Sequence, residues 1–264
     1  MAESSTYSRM VRADSFARFV DRVEDREKSL TVINRAEVDP IQRMVESMFD
    51  ADSVEVTETS GDPAGPADVM LLHDEQQPAI ATSPLQDVER SLLMVNSDLY
   101  ITGTRTLEDI DTPDVVANLD EVTFSVAGKR KFLLIHISRH VEAMAHETGG
   151  GVLHTGFQEL SRITDERGTT EAYRQLVDRG VDVHVYGHGD WDDPFGQDVT
   201  VHARDDGEIP NTWFVVHDGD GDDDRKAALV AVETGDNEYE GFWTFEAAVV
   251  DDVLEYIERR YVEE

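Results

Sequence analysis

Residues 129–158 read KRKFLLIHISRHVEAMAHETGGGVLHTGFQ, a basic-headed amphipathic helix that passes through three glycines into a strand closing on Gly156, Phe157 and Gln158. Leu133, Leu134, Ile137, Val141 and Met144 fall on one side of that helix, whereas Ile135, Ser138, Arg139, Glu142 and His146 approach another. Gly149, Gly150 and Gly151 read as a helix stop and a turn. The four lysines of the chain stand at 28, 129, 131 and 226, so two of them flanking Arg130 concentrate scarce positive charge at the helix start. Cations there oppose the helix dipole and call for acidic partners or an anionic ligand. Ordinary ion pairs are the plainer reading, and both readings stand at this point.

Before this helix, a polar and flexible tail (1–14) leads to SFARFVDRVEDRE (15–27), which places Phe16, Phe19, Val20 and Val23 on one helical stripe. LTVINR (30–35) reads as a strand, Asp39-Pro40 opens a helix through Phe49, and SVEVTE (53–58) alternates as a strand. GDPAGPAD is a loop; VMLLHD (69–74) and PAIATS (78–83) form a hairpin; residues 85–94 form a helix. After it, VLHTGF (152–157) is a strand, 158–179 carries one or two helices, and VDVHVYG (181–187) is a strand. TWFVVHD (212–218) and AALVAVE (227–233) form a second hairpin, EGFWTF (240–245) is extended, and 247–261 is a final amphipathic helix.

This order defines an α/β fold with mixed β-sheets and flanking helices. VMLLHD and WFVVHD are both apolar runs ending His-Asp at a turn, each followed by an alanine-containing strand and later a helix. They suggest two related α/β halves joined by the central helix; chance recurrence of common α/β units is the alternative. The expected division is a tail (1–14), an N-terminal α/β region (15–128) and a second domain (129–264).

Composition narrows the function. Asp plus Glu number 57 against 23 Lys plus Arg, a formal charge of −34, which repels phosphate backbones and argues against nucleic-acid binding over a broad surface. The 39% of hydrophobic residues recur in strand and helix patterns, so the chain folds. Excess acid in every segment, arginine in preference to lysine and turns such as DGDGDDD resemble the cytoplasmic proteins of extreme halophiles. The absence of cysteine excludes disulfides, thiolate metal sites and cysteine nucleophiles. MAESSTYSRMVRAD has no apolar signal core, and runs such as FLLI (132–135) are too short to span a bilayer. A cytoplasmic protein without a membrane partner is expected.

Several residues invite chemistry. His136 and His140 share a helical face, as a metal pair requires, but the glutamate of HExxH is absent; hydrogen-bonded or solvent-facing histidines are the plainer reading. Asp218, Asp220 and Asp222 match the first spacings of a calcium loop, then Asp223 and Leu229 replace its glycine and bidentate glutamate, leaving an acidic hairpin loop. YGHGDWDDPFG (186–196) combines glycines, His188, Trp191 and carboxylates beyond a strand end, where α/β proteins often bind ligands. An acidic surface loop with a packed tryptophan explains it as well. It contains no serine or threonine nucleophile in a known arrangement and no phosphate-cradling loop, so no metal and no catalytic residues are assigned.

ISRHVEAMA (137–145), VLHTGFQELSR (152–162), TEAYRQLVDRGVDVHVYG (170–187), TWFVVHD, AALVAVE and GFWTFEAAVVDDVL (241–254), in that order, resemble the DICT sensory domain, here of a haloarchaeal, stand-alone type. The shared elements are Ser138-Arg139-x-x-Glu142, Phe157-Gln158, Tyr173-Arg174-x-Leu176 and Phe242-Trp243-Thr244. The resemblance implies a signal-input module that binds a small molecule of unknown identity, with Ser138, Arg139, Glu142, Phe157, Gln158 and Trp243 as the residues to test. Arg139 can hold an anion or pair with Glu142, and Gln158 offers both donors and an acceptor. The chain has no recognisable GGDEF, histidine-kinase or DNA-binding segment, so output is expected through a signalling or regulatory protein in trans, or through the region before Gly128. No cofactor is specified and no catalysis expected. Two alternatives remain: a metal-dependent hydrolase using His136, His140 and a third ligand, and a transcription co-regulator without a ligand.

Overall fold

Alternation of apolar residues along Thr212–His217 and Ala227–Gly235 sends Val215, Leu229 and Ala231 to one side of a sheet and Phe214, Val216, Ala228 and Val230 to the other. Both sides are buried, so helices must cover both. The computed structural model describes residues 13–23, 28–36, 49, 54–62, 64–94, 103–120, 122–127, 131–165, 167–189, 191, 193–205 and 207–262. The expected tail before residue 13, the helix over 40–48 and the cations Lys129 and Arg130 lie outside them.

The fold is α/β with two mixed sheets. The smaller has the order β2-β1-β3-β4, from β1 (Lys28–Ile33), β2 (Val54–Thr59), β3 (Val69–Asp74) and β4 (Ala81–Pro84). The larger comprises β5 (Val122–Ala127), β6 (Val152–Glu159), β7 (Asp182–His188), β8 (Thr200–Ala203), β9 (Thr212–His217), β10 (Ala227–Gly235) and β11 (Glu238–Thr244), in the order β5-β11-β10-β9-β6-β7-β8. In the larger sheet the β6–β7 and β7–β8 pairs are parallel and the rest antiparallel; in the smaller, β1–β2 is parallel and the rest antiparallel.

The helices are α1 (Phe16–Val20), α2 (Leu85–Met94), α3 (Asp114–Ala117), α4 (Lys131–Thr148), α5 (Arg162–Asp165), α6 (Arg167–Arg179) and α7 (Ala247–Ile257). A π-helical turn, Glu258–Val262, follows α7. One face of the large sheet packs against α4 and α6 through Val141, Ala145, Tyr173 and Leu176. The other packs against α1 and α7 through Phe16, Phe19, Val253 and Ile257. Leu133, Leu134 and Ile137 of α4 join a third core containing Leu30 and Leu72 of the small sheet, Leu92 of α2 and Val115 of α3. Helix α4 therefore packs on the large sheet and shares a core with the small sheet and α2. None of the helices among the described residues is long and apolar enough to cross a membrane.

The suggested repeat extends to strand order and register. Strands β2-β1-β3-β4 reproduce β7-β6-β9-β10 in order and direction. Superimposing VMLLHD on WFVVHD equates Leu71 with Val215, which pair with Thr31 and Thr155 in their respective sheets. It equates Leu72 with Val216, which pair with Ala81 and Ala228. Counting on from Thr31 and Thr155 brings Asn34 onto Gln158, and both take left-handed backbone angles, φ 50° and 65°.

Strand β5 hydrogen-bonds to β11 inside the large sheet, and α1 covers that sheet's far face, so residues on both sides of 128 build this layer. Strand β8 and helix α3 went unexpected because four residues are too few for a hydrophobic period to register.

Candidate functional site

Helix α4 is buried by the large sheet, by α2 and α6 and by residues 107–109, so its polar residues must find partners inside the protein. Arg139 and Glu142 are each 2% exposed. The i, i+3 spacing brings the Arg139 guanidinium onto Glu142 Oε2, and its second arm donates to Thr169 Oγ1 of α6 at 2.8 Å. The Tyr173 hydroxyl lies 2.9 Å from Glu142 Oε1 and 3.0 Å from Thr155 Oγ1. One ion pair thus laces α4, α6 and β6 together. Burial, and then the Glu142 charge, hold the Tyr173 phenol well above its usual range, so it remains a donor. Ser138 Oγ donates back to Leu134 O at 3.0 Å.

Between this part of α4 and the sheet lies a cavity of about 140 Å³. Its roof is Ile135, Ser138, Arg139 and Glu142; its floor is Thr155, Phe157 and Gln158 of β6, Trp213 and Val215 of β9 and Tyr239 of β11, with Arg162 also lining it. A dry apolar cavity of about 150 Å³ admits a benzene molecule, so a single planar ring is the scale of guest this space takes. Phe157 and Trp213 are register partners on adjacent strands. The Trp213 ring meets Tyr239 edge-on at 6.2 Å, and Phe157 meets Tyr173 at 5.5 Å.

Gln158 closes one end. The β6–β7 register slips between Gly156 and Glu159, and within that irregularity Gln158 adopts φ 65°. A left-handed glutamine costs about 1–2 kcal/mol, so the surroundings must hold it there. Its Nε2 donates to Glu233 Oε2 at 2.8 Å, and its Oε1 accepts from the Tyr239 hydroxyl at 3.1 Å. The residue is 3% exposed.

Ser138, Arg139, Glu142, Phe157 and Gln158 are therefore brought together around one cavity. Trp243 is not. It shares the sheet face but is 1% exposed, stacks on Phe124 at 5.6 Å and donates its indole N–H to Leu119 O, a core role. Ile135 was legible from the helix face. Thr155, Arg162, Trp213, Val215 and Tyr239 were not singled out; alternation along VLHTGF would have put Thr155 beside Phe157, but nothing local announces that β9 and β11 lie nearby.

The other candidates fall apart from the cavity. His136 is fully buried, and neither ring nitrogen has a hydrogen-bond partner among the described residues, which overturns the solvent-facing reading. Desolvation, with His140 adding to it, pushes its pKa down to about 3. His140 shares a 3.0 Å hydrogen bond with Thr112, and burial lowers it to about 4. No group of three metal-type ligands converges among the described residues. Asp218 Oδ1 accepts from the backbone of Val152 and Asp220 at 2.9 and 3.0 Å, tying the acidic loop to β6. In the loop after β7, His188 pairs with Asp205 at 2.6 Å and Trp191 packs near Phe195 at 6.1 Å, as a surface loop with an anchored tryptophan. On the opposite sheet face, His154, His184, His202 and Tyr186 form a cluster joined by His154–Tyr186 and His184–His202 hydrogen bonds of 2.8 and 3.0 Å.

No family model matches this chain, and no curated protein matches it. Among solved structures, it is similar to the polyphosphate kinase of Porphyromonas gingivalis with a TM-score of 0.37 and 10% identity; the match covers 90% of this chain and 46% of the kinase. At that distance the likeness carries no functional argument.

Proposed function

We propose that this chain is a DICT-like sensory protein that takes a small molecule into the cavity beneath α4 and passes the resulting change to a signalling or regulatory protein. One observation carries the reading: a buried ion pair, a glutamine in a left-handed conformation and three aromatic side chains converge on one space. Function often retains buried charges and unfavourable backbone angles that stability alone disfavours. The geometry also supplies a route. Ser138 and Arg139 line the cavity, while Leu133, Leu134 and Ile137 of the same helix pack into the core shared with the small sheet. A guest that favours one position of α4 over another shifts both.

The reading places the protein in the cytoplasm, away from membranes and nucleic acid, and assigns no reaction to the site. The metal-dependent hydrolase alternative lacks a third ligand beside His136 and His140 among the described residues. Native mass spectrometry of protein purified in molar salt tests the proposal. The expected result is a retained small molecule that is lost in Gln158→Ala and in Ile135→Phe, which fills the roof. A molecule retained equally by both variants places the site elsewhere; no retained molecule, together with no binding across a small-molecule panel, favours the ligand-free co-regulator.

A further inference from the structure

The repeated strand unit contains a natural control for Gln158. Asn34 occupies the equivalent position, with the same carboxamide group and the same left-handed backbone. Its amide is consumed by its own loop: Oδ1 accepts from Gly61 N at 2.7 Å, and Nδ2 donates to Asp62 O and Pro66 O, both at 3.0 Å. Both of its N–H groups are taken, and the group acts as a staple. Gln158 has one more methylene, and the residue instead lines the cavity.

Its orientation is determined by its neighbours. Glu233 only accepts, so the amide nitrogen faces it; the Tyr239 hydroxyl then donates to the amide oxygen. Those two contacts take one N–H and one oxygen lone pair. One N–H and one lone pair remain on a planar group held between fixed partners, with the Phe157 and Trp213 rings on the same floor. The complement of an in-plane donor and acceptor is an adjacent C=O and N–H in a flat molecule, and flat molecules are what aromatic floors hold.

We infer that Gln158 is the specificity residue of this cavity and that the ligand is a planar heterocycle presenting a lactam edge, a ring N–H beside a ring C=O. The inference rests on the cavity being a small-molecule site, and its test separates the two.

Calorimetric titration in molar KCl would use single-ring probes, 2-pyridone against N-methyl-2-pyridone and uracil against 1,3-dimethyluracil. The lactams are expected to bind at least about tenfold more tightly than the methylated forms, because a buried amide left without its partner rejects the analogue. Gln158→Leu is expected to reduce that preference below about threefold while the ring still binds. If Gln158→Leu does not fold, Tyr239→Phe, which removes the donor orienting the amide, is expected to weaken the preference too. Equal binding of lactams and methylated forms overturns the lactam assignment and leaves the cavity as a binding site. A lactam preference unchanged in the foldable variant overturns the role of Gln158. If no probe binds and native mass spectrometry recovers a molecule without a lactam edge, the ligand class is wrong and the sensory reading stands. If neither yields a ligand, both fall.

Discussion

Gly156 lets the Phe214 ring lie across β6 on the sheet face away from the cavity: a Cβ placed there would lie 2.3 Å from Phe214 Cε1. Gly156→Ala should cost about 1–3 kcal/mol through overpacking, read as a lower urea midpoint in molar KCl. Glu142 presents the opposite case, a side chain whose removal strands a charge. Glu142→Ala should cost about 3–5 kcal/mol, because the Arg139 guanidinium stays buried without its counter-ion. The double change Arg139→Met with Glu142→Leu should recover most of that loss, which a double-mutant cycle of urea unfolding would measure. Ser138, Arg139 and Glu142 were legible because a helix places residues three and four apart on one face, a local rule. Trp213 and Tyr239 were not, since they reach the cavity through strand pairings with distant partners. Trp243 was singled out by resemblance to a motif, and its environment, Phe124 and Leu119, comes from a part of the chain that the motif does not cover.

Helix α4 owes its behaviour to burial on two sides. His136 lies within it without a hydrogen-bond partner among the described residues, and its pKa of about 3 lies far below that of a free imidazole. Between about pH 6.5 and 3 the unfolded chain takes up a proton that the folded protein refuses, so stability falls as the pH is lowered through that window. Such a group contributes a slope of about 1.4 kcal/mol per pH unit. Replacing His136 by leucine should remove one such contribution, flattening the acid limb by about one proton and raising the unfolding midpoint at pH 5; urea titrations from pH 4 to 8 would read both effects. An unchanged slope would mean that His136 is not held neutral. The sequence pattern of α4 showed one apolar side and a second carrying Ser138, Arg139 and Glu142. Besides the large sheet, α4 is covered by α2 and residues 107–109, too far back in the chain for any local period to reveal. Strand β5, by contrast, alternates Val122 and Phe124 toward the core and was readable in principle.

For the molecule as a whole, the formal charge of −34 opposes every one of these contacts. At about 1 M salt the Debye length is about 3 Å, and near 0.01 M it is about 30 Å. Far-ultraviolet circular dichroism should therefore lose its α/β signature on dialysis from molar to millimolar KCl; an unchanged spectrum would remove the case for salt adaptation. Cutting the chain tests its organisation. A fragment covering 129–264 lacks β5, which leaves an edge of β11 unpaired, and lacks Phe16 and Phe19, which cover the far sheet face. It should elute as aggregate or require detergent, whereas the full chain stays soluble in molar salt.

The docking of α1 also has a consequence in time. Phe16 N donates to Glu208 at 2.7 Å, and Arg259 reaches back to Ala13 O, 246 positions earlier in the chain. A ribosome adding roughly 5–20 residues per second makes the first of these partners roughly 12–50 seconds before the last. Throughout that interval Phe16 and Phe19 have no finished surface to rest on, so a nascent chain must be shielded or kept in solution by its own negative charge. The acidity that weakens the finished fold in dilute buffer would then protect the unfinished one.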